Sequence, residues 1–112
     1  MAIVVRAELR IAPGTREEFL KAATALTDAA AKEAGTLRYD WYTSDDPTEF
    51  VVIEEYADPD AALAHNQNCA VLLRRIGKVA EITSADLHGY LGPTLEAWVA
   101  ERSFAHAYSP LG

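Results

Sequence analysis

A chain of 112 residues is long enough for one domain that buries roughly two-thirds of its unfolded surface, and too short for two independent cores. Half its residues are hydrophobic and 24% are charged, the balance of an ordinary globular domain rather than a disordered or membrane-embedded one. Ten Lys and Arg against seventeen Asp and Glu leave a formal charge of −7, a field that repels phosphate backbones and anionic headgroups and makes nucleic acid and membrane surfaces poor partners.

In chain order, Ile3, Val5, Ala7, Leu9 and Ile11 alternate with Arg6, Glu8 and Arg10, the period of a strand with two unlike faces. Pro13-Gly14 turns the chain, and Thr15 with Glu18 predicts a capping box opening a helix near Arg16. Phe19, Ala23, Leu26 and Ala30 form its apolar stripe, and Gly35 is expected in the left-handed conformation that ends a helix. Leu37, Tyr39 and Trp41 alternate with Arg38, Asp40 and Tyr42, Ser44-Asp45-Asp46-Pro47 turns, and Phe50 to Tyr56 completes a hairpin. Asp58-Pro59 is an N-cap followed by the helical position that tolerates proline. That helix should break near Asn66-Gln67-Asn68 and restart, with Leu72, Leu73 and Ile76 on a face ending at Gly77. Glu81 to Tyr90 reads as a fourth strand. After Gly92-Pro93, Leu95, Trp98 and Val99 predict a short amphipathic helix, and Phe104, His106 and Tyr108 alternate in a tail too apolar to hang free.

The order β-α-β-β-α-β is the ferredoxin-like arrangement, an α+β fold with an antiparallel sheet and both helices on one face. Val4, Tyr42, Phe50, Val52 and Tyr56 are expected to make the other face partly apolar, and a second copy would cover it, closing a dimeric α/β-barrel. Residues 1–91 form this domain in the sequence reading, and residues 92–112 a C-terminal extension that packs on its own barrel or the partner's.

No phosphate-cradling glycine loop, zinc-protease helix, nucleophile elbow or dinucleotide fingerprint occurs, so neither a nucleotide nor a catalytic metal is supported. Titratable residues and aromatics remain. His65 lies where a polar cluster, Asn66-Gln67-Asn68, interrupts an apolar pattern. A histidine's ordinary pKa of about 6.5 suits proton removal from a phenol or quinol, while the plainer reading is a helix-end histidine bonded to backbone carbonyls. Glu54 shares strand parity with Phe50, Val52 and Tyr56. It is either a functional acid of raised pKa or one half of a buried ion pair with Arg6 or Arg10. Arg6, Glu8 and Arg10 read as a cross-strand charge ladder, and His88 and His106 as structural. Tyr39, Trp41, Phe50 and Tyr56 offer surfaces for a flat aromatic ligand, though strand aromatics also build cores.

Cys69 is the single cysteine, which excludes an internal disulfide and multi-thiolate zinc sites and suits a reducing, cytoplasmic setting. It reads best as a small buried residue. The first residues lack the basic start and apolar stretch of a signal peptide, and no run approaches membrane-span length.

Val5-Arg6-Ala7-Glu8-Leu9-Arg10, Pro13-Gly14, Gly35-Thr36-Leu37-Arg38-Tyr39, Phe50 to Tyr56 and Ala62-Leu63-Ala64-His65 together resemble the antibiotic biosynthesis monooxygenase (ABM) family, including its quinol monooxygenase branch. The resemblance runs from about Val4 to Gly89. It implies a dimeric α/β-barrel, a pocket holding Glu54 and His65 with Tyr39 nearby, and oxygenation of phenols or quinols by O₂ without metal or flavin. A haem-degrading branch of the same fold uses an asparagine in the first strand, which this chain lacks. The expected protein is therefore a homodimeric, cofactor-independent monooxygenase of a small aromatic quinol or phenol, with His65 and Glu54 catalytic and Tyr39, Trp41, Phe50 and Tyr56 against the substrate. The rival readings are a non-catalytic ligand-binding or stress-associated dimer and a cofactor-free isomerase or lyase.

Overall fold

The computed structural model describes every residue from Met1 to Gly112. The alternating N-terminal segment forms β1 (Ile3–Ile11), and its central place in the sheet follows from having a pairing partner on each side. The chain continues through α1 (Arg16–Ala31), β2 (Thr36–Thr43), β3 (Glu49–Tyr56), α2 (Pro59–Asn68), α3 (Ala70–Val79), β4 (Ala80–His88), α4 (Gly92–Ala100) and β5 (Ala105–Tyr108). The strands lie in the order β2-β3-β1-β4-β5. The fold is ferredoxin-like α+β, with β1 antiparallel to both β3 and β4 and β2 antiparallel to β3. The sheet is mixed rather than antiparallel throughout, because β5 adds to the edge of β4 in parallel. The tail thus joins the chain's own sheet, and α4 is the crossover that a parallel addition requires.

Register decides which side chains meet the helices. Ile3 pairs with Tyr56, Val5 with Glu54, Ala7 with Val52 and Leu9 with Phe50, and directly opposed residues share a sheet face. Ile3, Ala7, Leu9, Phe50, Val52 and Tyr56 are all buried with Phe19, Leu26 and Ala30 of α1. The expectation that Phe50, Val52 and Tyr56 lie on the outer face is therefore wrong: they belong to the core. The outer face carries Val4, Arg6 and Glu8 of β1, Val51, Ile53 and Glu55 of β3, and Arg38, Asp40 and Tyr42 of β2. Arg6 pairs with Glu8 along its strand and Arg10 with Glu49 across to β3, each at 2.6 Å.

Helix ends differ in detail from expectation. Asp58 caps α2 by accepting from the Ala61 N–H at 2.8 Å. Thr15 forms no capping box; its φ of −112° and ψ of 10° lie outside cap geometry, and its hydroxyl donates to the Ala12 carbonyl at 2.7 Å. Gly35 is not left-handed. It is small because a Cβ there would sit 2.5 Å from the Ala61 Cβ, so its value lies in letting α2 approach the start of β2. Helix α3 runs on through Gly77 to Val79. No helix is long and apolar enough to cross a membrane.

Candidate active site

The helical region from Pro59 breaks at Cys69, whose N–H still bonds the His65 carbonyl at 2.9 Å while its own carbonyl accepts from Leu73. This leaves His65 in the last turn of α2 with its ring directed inward, 2% exposed. The imidazole packs between Tyr39 of β2 and Tyr56 of β3, with ring centroids 5.1 and 5.4 Å away. The carbonyl-bonded histidine of the plainer reading is not what forms.

His65 instead meets Glu33, which lies in the turn between α1 and β2. Nδ1 lies 2.7 Å from Glu33 Oε1. Three further groups donate to the same carboxylate: the Thr36 hydroxyl to Oε1 at 2.8 Å, and Asn68 Nδ2 at 2.7 Å and the Cys69 thiol at 3.7 Å to Oε2. Burial pushes the Glu33 pKa upward, but the hydrogen bonds from His65, Asn68 and Thr36 outweigh it and hold it below the usual carboxylate value. An ionised carboxylate only accepts, so Nδ1 must carry the ring proton. In the neutral ring Nε2 is then the nitrogen with the free lone pair, and it is buried with no hydrogen-bond partner in the chain. The result is a carboxylate-oriented imidazole inside an aromatic lining.

Glu54 pairs in register with Tyr39 on one side and Val5 on the other, and it accepts a hydrogen bond from the Tyr56 hydroxyl. Desolvation raises its pKa, only partly offset by the Tyr56 hydrogen bond and the electrostatic influence of the nearby His65 ring. The proposed ion pair with Arg6 or Arg10 does not form, because those arginines are on the opposite face. Burial, with the charge on Glu54 adding to it, raises both Tyr39 and Tyr56, so neither phenol ionises readily.

The structure therefore brings His65, Glu54, Tyr39 and Tyr56 together. Trp41 continues the row, 6.0 Å from Tyr39, and Phe50 lies beyond it; both rings pack on Phe19, at 5.5 and 4.5 Å. Glu33, Thr36 and Asn68 were missed by sequence reasoning. Glu33 is 32 positions from His65 and sits in an unremarkable turn, so no local pattern marks it.

Cys69 is buried as expected, and burial together with Glu33 pushes its thiol up to about 11. Glu33, His65 and Cys69 offer donor atoms within 4.8 Å of one another. A cation there would have to displace the Nδ1 proton and the thiol proton, so the donor set favours a hydrogen-bonded cluster over a metal centre. His88 donates through Nδ1 to the Val4 carbonyl at 3.1 Å and stacks on Tyr108, a structural role. A separate cavity of about 250 Å³ opens on the outer sheet face beside Tyr42, and its arginines are the ones already paired with Glu8 and Glu49.

A ferredoxin-like domain with a carboxylate-oriented histidine among aromatics is thus the class that fold and site define. Residues 2–72 match the family described as "Antibiotic biosynthesis monooxygenase", and the chain belongs to that family. It is 33% identical over 86 residues to the "Putative monooxygenase YcnE" of Bacillus subtilis (strain 168), covering 76% of this chain and 90% of that protein. Among solved structures, MupZ from Pseudomonas fluorescens superposes with a TM-score of 0.80 at 21% identity, over 99% of this chain and 91% of its own. SnoaB from Streptomyces nogalater, described as a cofactor-independent oxygenase, gives 0.69 at 15% identity, over 77% and 89%. At those two identities the likeness is one of fold. The near-complete MupZ match takes in α4 and β5.

Proposed function

We propose that this protein is a cofactor-independent monooxygenase that oxidises a small aromatic quinol or phenol, with His65 as proton acceptor. The observation that carries the reading is the buried, partnerless Nε2 of a ring whose other nitrogen is tied to Glu33. Nε2 takes the substrate's hydroxyl proton, and the Glu33 carboxylate stabilises the imidazolium that forms. The phenolate, far more electron-rich than the phenol, passes one electron to O₂. The radical pair joins through a new C–O bond at the ring, and the O–O bond then breaks. The ring carbon that gained oxygen loses its own hydrogen as a proton when the O–O bond breaks, and the departing oxygen leaves as water with that proton and the one the imidazolium returns; for a quinol the balance is quinol plus O₂ giving hydroxyquinone plus water, so no outside reductant enters.

Tyr39 and Tyr56 supply the walls beside the base, with Trp41 and then Phe50 extending the apolar row that keeps water from the radical pair. Glu54 fixes the Tyr56 ring through its hydroxyl and keeps a proton to higher pH than an ordinary carboxyl. Membership of the family and the description of SnoaB support this chemistry. The outer sheet face supports a homodimer: Val4, Val51 and Ile53 form an apolar strip there between charged neighbours, the surface a second copy would cover. Light scattering at two chain masses, against one for Ile53→Lys, checks that assembly. The single cysteine suits a cytoplasmic setting.

Oxygen uptake with a panel of quinols and anthrones, comparing wild type with His65→Ala, tests the activity. Uptake lost in the variant supports the monooxygenase. Turnover under argon instead indicates an isomerase or lyase, and saturable binding without turnover a ligand-binding protein.

A further inference from the structure

Only two buried side-chain polar atoms in the chain lack a hydrogen-bond partner, Nε2 of His65 and Nε1 of Trp41. An unpaired buried polar group forfeits its hydration without compensation, and folded proteins keep few of them, so each calls for an explanation. These two are not scattered. Both rings pack against Tyr39, at centroid distances of 5.1 and 6.0 Å, on the helix-facing side of the sheet.

The two atoms are also opposite in kind. In the neutral ring, with the Nδ1–H donated to Glu33, Nε2 of His65 accepts, whereas an indole N–H can only donate. One molecule lying along Tyr39, with a hydroxyl at one end and an acceptor oxygen toward the other, would satisfy both. The contact of Trp41 with Phe19 is edge-on, with an interplanar angle of 88°, and no oxygen or nitrogen in the chain accepts from the indole N–H.

We propose that Trp41 is a specificity-determining residue whose indole N–H donates to a second oxygen, carbonyl or ether, on the aromatic compound whose hydroxyl His65 binds. The inference rests on the histidine site described under the proposed function and deepens it. A phenol without a second oxygen leaves the Trp41 donor unpaired and binds more weakly; a hydroxyaryl compound with a separate acceptor oxygen engages both stations.

The test is a binding comparison under argon with two probes of one carbon framework, 7-hydroxy-1-tetralone and 5,6,7,8-tetrahydro-2-naphthol, which differ by the carbonyl. Wild type should bind the ketone roughly tenfold more tightly, the size of one buried hydrogen bond. Trp41→Phe should bring the two affinities within about twofold of each other, because it removes the donor that favours the ketone. A ¹H–¹⁵N spectrum of Trp98→Phe retains one indole signal, that of Trp41, and does not require the Trp41 variant to fold. That signal should move downfield with the ketone and stay in place with the naphthol. Equal affinities in wild type, a preference that survives Trp41→Phe, an unmoved Trp41 signal, or no binding of either probe would each overturn the proposal. Since no oxygen is present, failure of the monooxygenase reading is separable: ketone preference without oxygen consumption refutes that reading alone, and oxygen consumption without ketone preference refutes only the role of Trp41.

Discussion

The Nδ1 proton of His65 is held by Glu33 Oε1 at 2.7 Å, and this contact decides which nitrogen of the ring is free. Because Thr36, Asn68 and Cys69 converge on the same carboxylate, Glu33 cannot rotate away without breaking several hydrogen bonds. Glu33→Gln keeps the shape but removes the anion, allowing the amide to donate to Nδ1 and moving the ring proton to Nε2, where it blocks the base. Oxygen-uptake assays should show kcat reduced roughly tenfold to hundredfold with KM little changed, a smaller loss than the roughly 10²–10⁴-fold expected of His65→Ala.

Glu33 and Glu54 tilt the pH dependence of stability in opposite directions. The Glu33 pKa is lowered in the folded state, so its contribution is complete above the ordinary 4.5 and is lost as pH falls through the folded value. The Glu54 pKa is raised, so the protein loses stability as pH rises from 4.5 through its folded value. In urea unfolding across this range, Glu33→Gln should flatten the acid limb. Glu54→Gln, which keeps an acceptor for Tyr56 without the charge, should raise the thermal midpoint by a few degrees above the folded pKa and change it little below pH 4. A Glu54→Gln protein no more stable than wild type at alkaline pH would contradict the burial assigned to that carboxyl.

Two glycines separate steric from conformational effects. Gly35→Ala drives a Cβ to 2.5 Å from the Ala61 Cβ, so it should destabilise by about 1–3 kcal/mol and disturb the docking of α2 that carries His65. Gly77→Ala, inside α3 with open space around it, should stabilise by about 0.5 kcal/mol. Chemical denaturation of the two variants beside wild type reads both signs in one experiment.

Element order was legible in the sequence because each element carries its own periodicity: β1 alternates in twos, and Asp58-Pro59 sets the start of α2 by a local hydrogen bond. Which strand face meets the helices was not legible. Phe50, Val52 and Tyr56 alternate correctly either way up, and only the pairing of Ala7 with Val52 turns them inward. The site was half legible for the same reason. His65, Tyr39 and Glu54 stand out by residue type and parity, whereas Glu33 reaches His65 only through a contact between the turn after α1 and the end of α2, which no local pattern encodes. The parallel docking of β5 was likewise hidden, since alternation in a tail of four strand residues does not specify its partner.

The most direct measurement of the central claim is turnover of a quinol under ¹⁸O₂ by wild type and His65→Ala. The account predicts that wild type places one labelled atom in the hydroxyquinone and the other in water, and that the variant loses this incorporation by roughly 10²-fold or more. Product without label, or labelled product formed equally well without the imidazole, would contradict it.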